Sequence, residues 1–304
     1  MTRFLVTGAY GCIGAWVVHE LVAGGRDVVT FDLSTDPRRM RLLLDDAETA
    51  AIPHVVGDIT DLDAVGRALD EHRITNVIHL AALQVPFCRA DPPLGARVNV
   101  LGTVNVFEAA KTRELAHVVY ASSIAVYDAD GKLDGHPGTI YGAYKRANEA
   151  TAALYFAESG VSSIGLRPHT VYGVGRDQGL TSAPTAAMLA AAADKPYTIP
   201  YGGSAQLQLA QDAARAFVDA SLAHYTGASV HNLPGHVASV DDVVSAIGSQ
   251  AIGHTDVRLP FPEQVDSSSF VELLPGFAPT PLAEGVRATV ERFRALLAEG
   301  KVAA

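Results

Sequence analysis

The chain has 304 residues, a formal charge of −10, 48% hydrophobic side chains and 18% charged ones. That balance excludes disorder and leaves room for one large α/β core, or a core plus a smaller lobe. The negative charge argues against nucleic acid and anionic membrane surfaces as main partners, although backbone N–H groups can still hold an anionic cofactor.

The first predicted strand, Phe4–Val6, runs into Gly8, Gly11 and Gly14. Ile13, Val17, Val18 and Leu21 behind that turn form a helical apolar stripe over Ile13–Ala23. A strand, a glycine turn and a helix N-terminus together set bare N–H groups against a pyrophosphate. Gly8 permits the tight turn, Gly11 admits the anion, and Gly14 lets helix and strand lie close. Tyr10, Cys12 and Ile13 belong to the same turn, with Cys12 read as a small filler rather than a redox thiol. Val28–Phe31 is the second strand and ends at Asp32-Leu33, about twenty residues on, where a carboxylate reads the adenosine ribose hydroxyls and repels a 2′-phosphate. That favours NAD, although Arg38 and Arg39 follow.

Helices are expected over Met40–Asp45, Leu62–Glu71, Val98–Lys111 and Tyr141–Glu158, alternating with strands His54–Val56, Val77–His79, Val118–Ala121 and Ser163–Leu166. Such alternation builds an α/β fold, a doubly wound parallel sheet of Rossmann type, with its crevice beyond the carboxyl ends of the strands. Asp58-Ile59 closes the third strand, where the acid can reach the adenine or cap the next helix. His79-Leu80-Ala81-Ala82 closes the fourth with small residues under the cofactor. Beyond residue 168 glycine and proline become frequent. Short strands (Tyr197–Ile199, Val230–Leu233) mix with helices near Pro184–Ala193, Gln211–His224, Val240–Ser249 and Leu282–Ala298. We therefore expect a dinucleotide-binding domain over 1–168 and a smaller, irregular substrate lobe over 169–304, some of it returning to the core.

Cys12 and Cys88 provide neither a disulfide framework nor metal-ligand spacing, so no metal is expected. No secretory signal precedes the first strand, and the longest apolar stretch, Ala186–Ala193, cannot span a bilayer. The expected compartment is the cytoplasm.

Tyr141 and Lys145 stand one helical turn apart on one face. A free phenol is a poor base at pH 7, and a neighbouring ammonium together with an oxidised nicotinamide favours the phenolate. Tyr141 can then exchange a proton with a substrate hydroxyl. Ser122 and Ser123 end the strand before it, where a hydroxyl can hydrogen-bond an oxygen that becomes a carbonyl.

With these motifs the sequence resembles the extended short-chain dehydrogenase/reductase family, the nucleotide-sugar epimerase and dehydratase group. The motifs are Thr7-Gly8-Ala9-Tyr10-Gly11-Cys12-Ile13-Gly14, Asp32, Asp58-Ile59 and His79-Leu80-Ala81-Ala82. They continue with Asn99-Val100-Leu101-Gly102-Thr103, Ser122–Tyr127, Tyr141–Lys145 and Leu166–Gly173. The resemblance implies that Ser123 rather than Ser122 is catalytic, that Tyr141 is the acid/base, and that Lys145 holds the nicotinamide ribose. It also implies that Pro168 lines the nicotinamide, that NAD is tightly held, and that a homodimer forms. The helical faces for that association would carry Val104, Phe107, Ala147 and Leu154.

Thr170 replaces the family's usual asparagine, Ala205-Gln206 its usual Arg-Asp pair, and Gln84 a lysine frequent in galactose epimerases. The missing arginine is the natural grip on a diphosphate. The expectation is an NAD-dependent enzyme that oxidises a secondary alcohol of a sugar, sugar acid or polyol without a nucleotide diphosphate. Gln84, Ser123, His169, Tyr172, Arg176 and Gln178 are its candidate substrate contacts. A UDP-hexose 4-epimerase is the alternative, and a non-catalytic NAD-binding regulator the second. Ile124-Ala125, standing where a dehydratase has Asp-Glu, disfavours dehydration.

Overall fold

Apolar residues run almost unbroken along the first strands, so each buries side chains on two faces, which requires helices on both sides. The computed structural model describes residues 2–259 and 261–304. The first half runs β1 (Arg3–Thr7), α1 (Cys12–Ala23), β2 (Asp27–Asp32), α2 (Asp46–Ala51), β3 (His54–Val56), α3 (Leu62–Glu71) and β4 (Asn76–His79). It continues through α4 (Val85–Ala90), α5 (Pro92–Ala96), α6 (Gly102–Thr112), β5 (His117–Ala121), α7 (Ile140–Ser159) and β6 (Ser162–Arg167). The second half has β7 (Thr170–Tyr172), α8 (Ala183–Ala192), β8 (Tyr197–Ile199), β9 (Ser204–Leu209), α9 (Ala210–Leu222) and β10 (Ala228–Asn232). Then come β11 (His236–Ser239), α10 (Val240–Ile247), β12 (Ile252–His254), α11 (Ser268–Leu273) and α12 (Leu282–Ala298).

Seven strands form one sheet in the order β10-β6-β5-β4-β1-β2-β3, all pairs parallel. The order reverses between β1 and β4, which opens the crevice there. Phe4, Val6, Ile78 and Val119 face α1 and α9. Leu5, Val77, Val118 and Tyr120 face α3, α6 and α7. Strand β10 and helix α9, both from the second half, therefore complete the main core. The remaining segments form a three-stranded sheet, β11-β9-β7, and a two-stranded one, β12-β8. Tyr172, Met188, Val286, Val290 and Phe293 fill their own cluster.

Three local expectations change. The helix expected over Met40–Asp45 is a single 3-10 turn, Met40–Leu42, and α2 starts at Asp46. Its start is set by a capping box, since the Asp45 carboxylate accepts from Glu48 N (2.7 Å) and the Glu48 carboxylate from Asp45 N (2.9 Å). The helix expected from Val98 opens as a π turn over Arg97–Leu101 before α6. Phe107, expected on an outer face, is fully buried against Tyr120 and Tyr155, so it is not available for association. Leu154 and Ile140 on α7, and Leu101 in the π turn before α6, are exposed apolar side chains there. Among the described residues no helix is long and apolar enough to cross a membrane.

Candidate active site

The carboxyl ends of β1, β2, β4, β5 and β6 border one cleft of about 770 Å3, which also takes in the loop after β7. It contains every sequence-predicted site residue but one. Tyr172 is the exception: it is buried in the C-terminal core with its hydroxyl against Gly285 of α12, so it cannot touch a substrate. On the three-residue strand β7, Thr170 borders the cleft while Tyr172 turns into the core.

At the cofactor end Gly8 has φ +67, and a Cβ there would stand 2.6 Å from Ala81 N. Turn and fourth-strand end are thus held in backbone contact, which explains the small residues at 81 and 82. Among the described residues no side chain caps α1, and its first turn lines the cleft with its N–H groups unpaired by a cap. The Asp32 carboxylate accepts from Tyr10 N and Ser34 N, both at 2.9 Å, which aims it at the glycine turn. Asp58 accepts from Thr60 N (2.8 Å), and the cap of α3 belongs to Asp61. That separates the two roles the sequence leaves open for Asp58 and frees it to line the cleft. Burial pushes the Cys12 thiol up to about 11, in keeping with a filler.

Beneath the cofactor floor His79 is buried between Thr7 Oγ1 (2.7 Å) and Thr103 Oγ1 (3.1 Å). Burial pushes its pKa from 6.5 down to about 3. The folded chain therefore leaves His79 neutral where the unfolded chain would protonate it, and stability falls as pH drops through that window. NMR should find the His79 ring resonances unchanged between about pH 7 and about pH 5, and a midpoint near the free histidine value would contradict this placement. The π turn places Asn99 so that its amide spans Leu83 N and Leu83 O, both at 3.1 Å, fixing the chain that leads to Gln84.

The catalytic end is built by the N-terminus of α7. Thr139 caps it, accepting from Gly142 N at 3.0 Å, and a Cβ on Gly142 would collide with Ala125 O. Only glycine lets the helix end press against the 3-10 turn that Ser123 caps, and this brings Tyr141 to Ser123. Ser123 Oγ accepts from Ala125 N (3.1 Å) and remains half-buried in the cleft. Ser122 turns away and donates to Glu149 behind the sheet end, so of the two serines Ser123 has the free position.

Lys145 is 3% exposed, donates to Ala121 O at 2.7 Å, and holds its Nζ 5.8 Å from the Tyr141 ring centroid. Burial pushes Lys145 down to about 8 and Tyr141 up to about 12, the Ser123 hydroxyl working against the rise. The expected acidification of the phenol by Lys145 is therefore not a property of the protein alone. The ammonium is turned to a carbonyl, and desolvation of the phenol outweighs it.

At the substrate end Gln84 Oε1 and the Arg176 guanidinium flank Gly179, at 2.7 and 3.1 Å from where its Cβ would be. Arg176 donates to Thr181 Oγ1 (3.1 Å), and its buried Nε has no partner. His169 spans Thr170 Oγ1 (3.1 Å) and Pro262 O (2.8 Å), and burial pushes it down to about 4. Gln178 is exposed at the rim, and Pro168 holds the inner wall by accepting from Ile124 N at 3.1 Å. Sequence reasoning missed Thr139, Phe261 and Asp177. Thr139 carries a visible signal, a threonine just ahead of a helical run, whereas Phe261 and Asp177 arrive by tertiary folding alone.

A second cavity of about 210 Å3 shares Thr170 and Phe261 with the cleft. Ala205, Leu207, Val240, Val243 and Leu259 make its wall largely apolar. Gln206 faces inward instead, joining Leu233 O (2.9 Å) and Val265 N (3.1 Å). Arg258 at its mouth is exposed and lies 3.5 Å from Glu263.

A family model described as NAD dependent epimerase/dehydratase family matches residues 4–232. The UDP-glucose 4-epimerase of Mycolicibacterium smegmatis is 30% identical, the match covering 96% of this chain and 98% of that one. UDP-glucuronate 4-epimerase 5 of Arabidopsis thaliana is 33% identical over 56% of this chain and 42% of that one. The chain spans about half the length, or less, of several further curated relatives that it matches. A crystal structure of the UDP-glucose 4-epimerase of Thermus thermophilus, complexed with NAD, superposes with a TM-score of 0.81. It is 27% identical, with 96% of this chain and 99% of that one covered.

Proposed function

Since the chain belongs to the NAD-dependent epimerase/dehydratase family, we propose that it oxidises a secondary alcohol of a carbohydrate-like substrate through a keto intermediate. In this reading the substrate is a sugar, sugar acid or polyol without a nucleotide diphosphate. The observation that carries it is the convergence of Ser123, Tyr141 and Lys145 at the inner end of a cleft whose other end carries the glycine turn and Asp32.

The cleft suits NAD. Uncapped helix N–H groups await a pyrophosphate, Asp32 stands at the ribose position, and the floor is small residues. Bound NAD+ supplies the hydride acceptor and a positive charge beside the phenol. Ser123 hydrogen-bonds the substrate oxygen, Tyr141 takes its proton, and Lys145 holds the ribose while adding its charge. Charge next to a desolvated phenol acts strongly, so a pKa that burial raises falls when a cation joins it.

Two features support a substrate without a diphosphate. The second cavity presents Ala205 where the family's arginine usually stands, and its one arginine is exposed beside Glu263. Arg176, whose Nε lacks a partner, offers a grip for one carboxylate inside the cleft. Among the substrates named above this favours a sugar acid. Calorimetric titration of the NAD-loaded protein should find no micromolar UDP binding, while a sugar-acid panel should contain a compound that reduces bound NAD+ or is epimerised. Clear micromolar UDP binding would replace this reading with its alternative, a UDP-hexose 4-epimerase. That alternative is favoured by the two lining residues, Thr170 and Phe261, that the side cavity shares with the cleft, and by the relatives' activities. Homodimerisation through the exposed faces of α6 and α7, around Leu101 and Leu154, belongs to the same proposal.

A further inference from the structure

Arg38 and Arg39 follow the second strand closely and would ordinarily welcome a phosphate on the adenosine ribose. Both are occupied. Arg39 Nε and Nη2 donate to Asp177 Oδ1 at 3.0 and 2.7 Å, and Arg38 Nη2 donates to Asp177 Oδ2 at 3.2 Å. Asp177 comes from the loop after β7, more than a hundred residues away in sequence, so one carboxylate from the second half spans both guanidinium groups.

The placement of Arg39 gives this pairing a consequence. Its Nη1 donates to Tyr10 O at 2.9 Å, while Tyr10 N donates to Asp32 Oδ2 at 2.9 Å. The Arg39 guanidinium and the Asp32 carboxylate thus attach to the two ends of one residue, and both line the cleft. A 2′-phosphate carried on a ribose at Asp32 would lie within reach of Arg39. We infer that Asp177 is a cofactor-specificity residue, which sequesters Arg39 and Arg38 and so denies a 2′-phosphate its counter-charge.

Asp32 is the familiar half of NAD selection, because it repels the phosphate directly. Asp177 is the second half. It cancels the attraction that two adjacent arginines would otherwise exert, which is discrimination by removing a favourable contact to the wrong ligand. Arg39 is mostly buried, with 14% of its side chain exposed, so its charge is poorly screened and its state of pairing matters. The inference goes beyond the proposed reaction, and rests only on NAD being the cofactor.

The test is calorimetric titration of NAD+ and NADP+ against the full-length protein and its variants, with no turnover required. Asp177→Asn keeps the side chain's shape and removes the negative charge that neutralises both arginines. NADP+ affinity should rise about tenfold or more, with NAD+ affinity changed by less than about threefold. Asp177→Glu, which retains the charge, should keep the discrimination of the unmodified chain. Asp177→Asn combined with Arg39→Ala should lose the gain. If Asp177→Asn does not fold, as judged by its melting curve, Asp177→Ser makes the same comparison. Unchanged NADP+ affinity, a parallel rise for both dinucleotides, or a gain that survives Arg39→Ala would each overturn the inference. A parallel rise would assign Arg39 to the pyrophosphate that both cofactors share. Failure of the unmodified chain to bind NAD+ would instead remove the cofactor assignment itself.

Discussion

Replacing Tyr141 by phenylalanine is expected to lower kcat by about a thousandfold, the loss typical of a missing acid–base group, with NAD affinity essentially preserved. The ring that Lys145 faces at 5.8 Å is kept, and only the hydroxyl next to Ser123 disappears. The loss should appear in the chemical step, so binding and turnover must be measured separately: calorimetry for NAD, single-turnover absorbance for reduction. A variant that still turns over at a third of the normal rate would remove Tyr141 from the reaction. One that no longer binds NAD would show the hydroxyl to be structural.

A second large effect is expected behind the site. The Glu149 carboxylate accepts from Arg167 Nε at 2.7 Å and Nη2 at 2.6 Å, and from the Ser122 hydroxyl. Arg167 Nη1 donates to the Tyr127 hydroxyl at 3.0 Å, which in turn donates to Asn232 Oδ1 at 3.1 Å. The network ties α7 to the ends of β5, β6 and β10 directly behind Ser123. Both charged side chains are about nine-tenths buried, at 9% and 11% exposure. Glu149→Ala leaves a buried guanidinium without a counter-charge and should cost about 3–5 kcal/mol. For a chain of this size that lowers the melting temperature by about 5–8 °C. Differential scanning calorimetry measures it, and a shift below about 1 °C would mean that water compensates Arg167.

Much of the main sheet was legible because its signals are local. Val28–Phe31 and His54–Val56 are runs of β-branched and aromatic residues bounded by turns, and the helix over Leu62–Glu71 has a clean apolar period. The glycine turn and the Tyr141–Lys145 spacing are legible in the residues, the choice of Ser123 comes from the family resemblance, and the cleft brings all of them together. Helices α4 and α5 are too short to show a period, and Pro86, Pro92 and Pro93 occupy their first turns, where the missing N–H costs nothing. The expected helix over Met40–Asp45 follows the apolar residues Met40 and Leu42–Leu44, whereas the helix that forms starts at the capping box of Asp45 and Glu48.

Other features could not be read from the chain alone. Thr170 and Tyr172 share one side of a three-residue strand, and only the packing of α12 over its far end makes Tyr172 core rather than cleft. Gln206 and Gln208 are buried and satisfied by the Leu233 carbonyl and neighbouring backbone, a pairing that no local pattern announces. The Asp177 bridge to Arg38 and Arg39 joins the two halves and has no local signature. The ionisation of Tyr141 in the protein without bound cofactor is not legible either. Sequence spacing sets Lys145 on the same helical face, but not the direction of its ammonium, which is turned to Ala121 O.

A crystal structure of the protein soaked with NAD would test the central claim most directly. The adenosine ribose should rest on Asp32, the pyrophosphate on the N-terminus of α1, and the nicotinamide between Ser123 and Pro168 with Tyr141 and Lys145 at its ribose. An ordered dinucleotide whose nicotinamide points away from Tyr141, or one bound outside this cleft, would contradict the account.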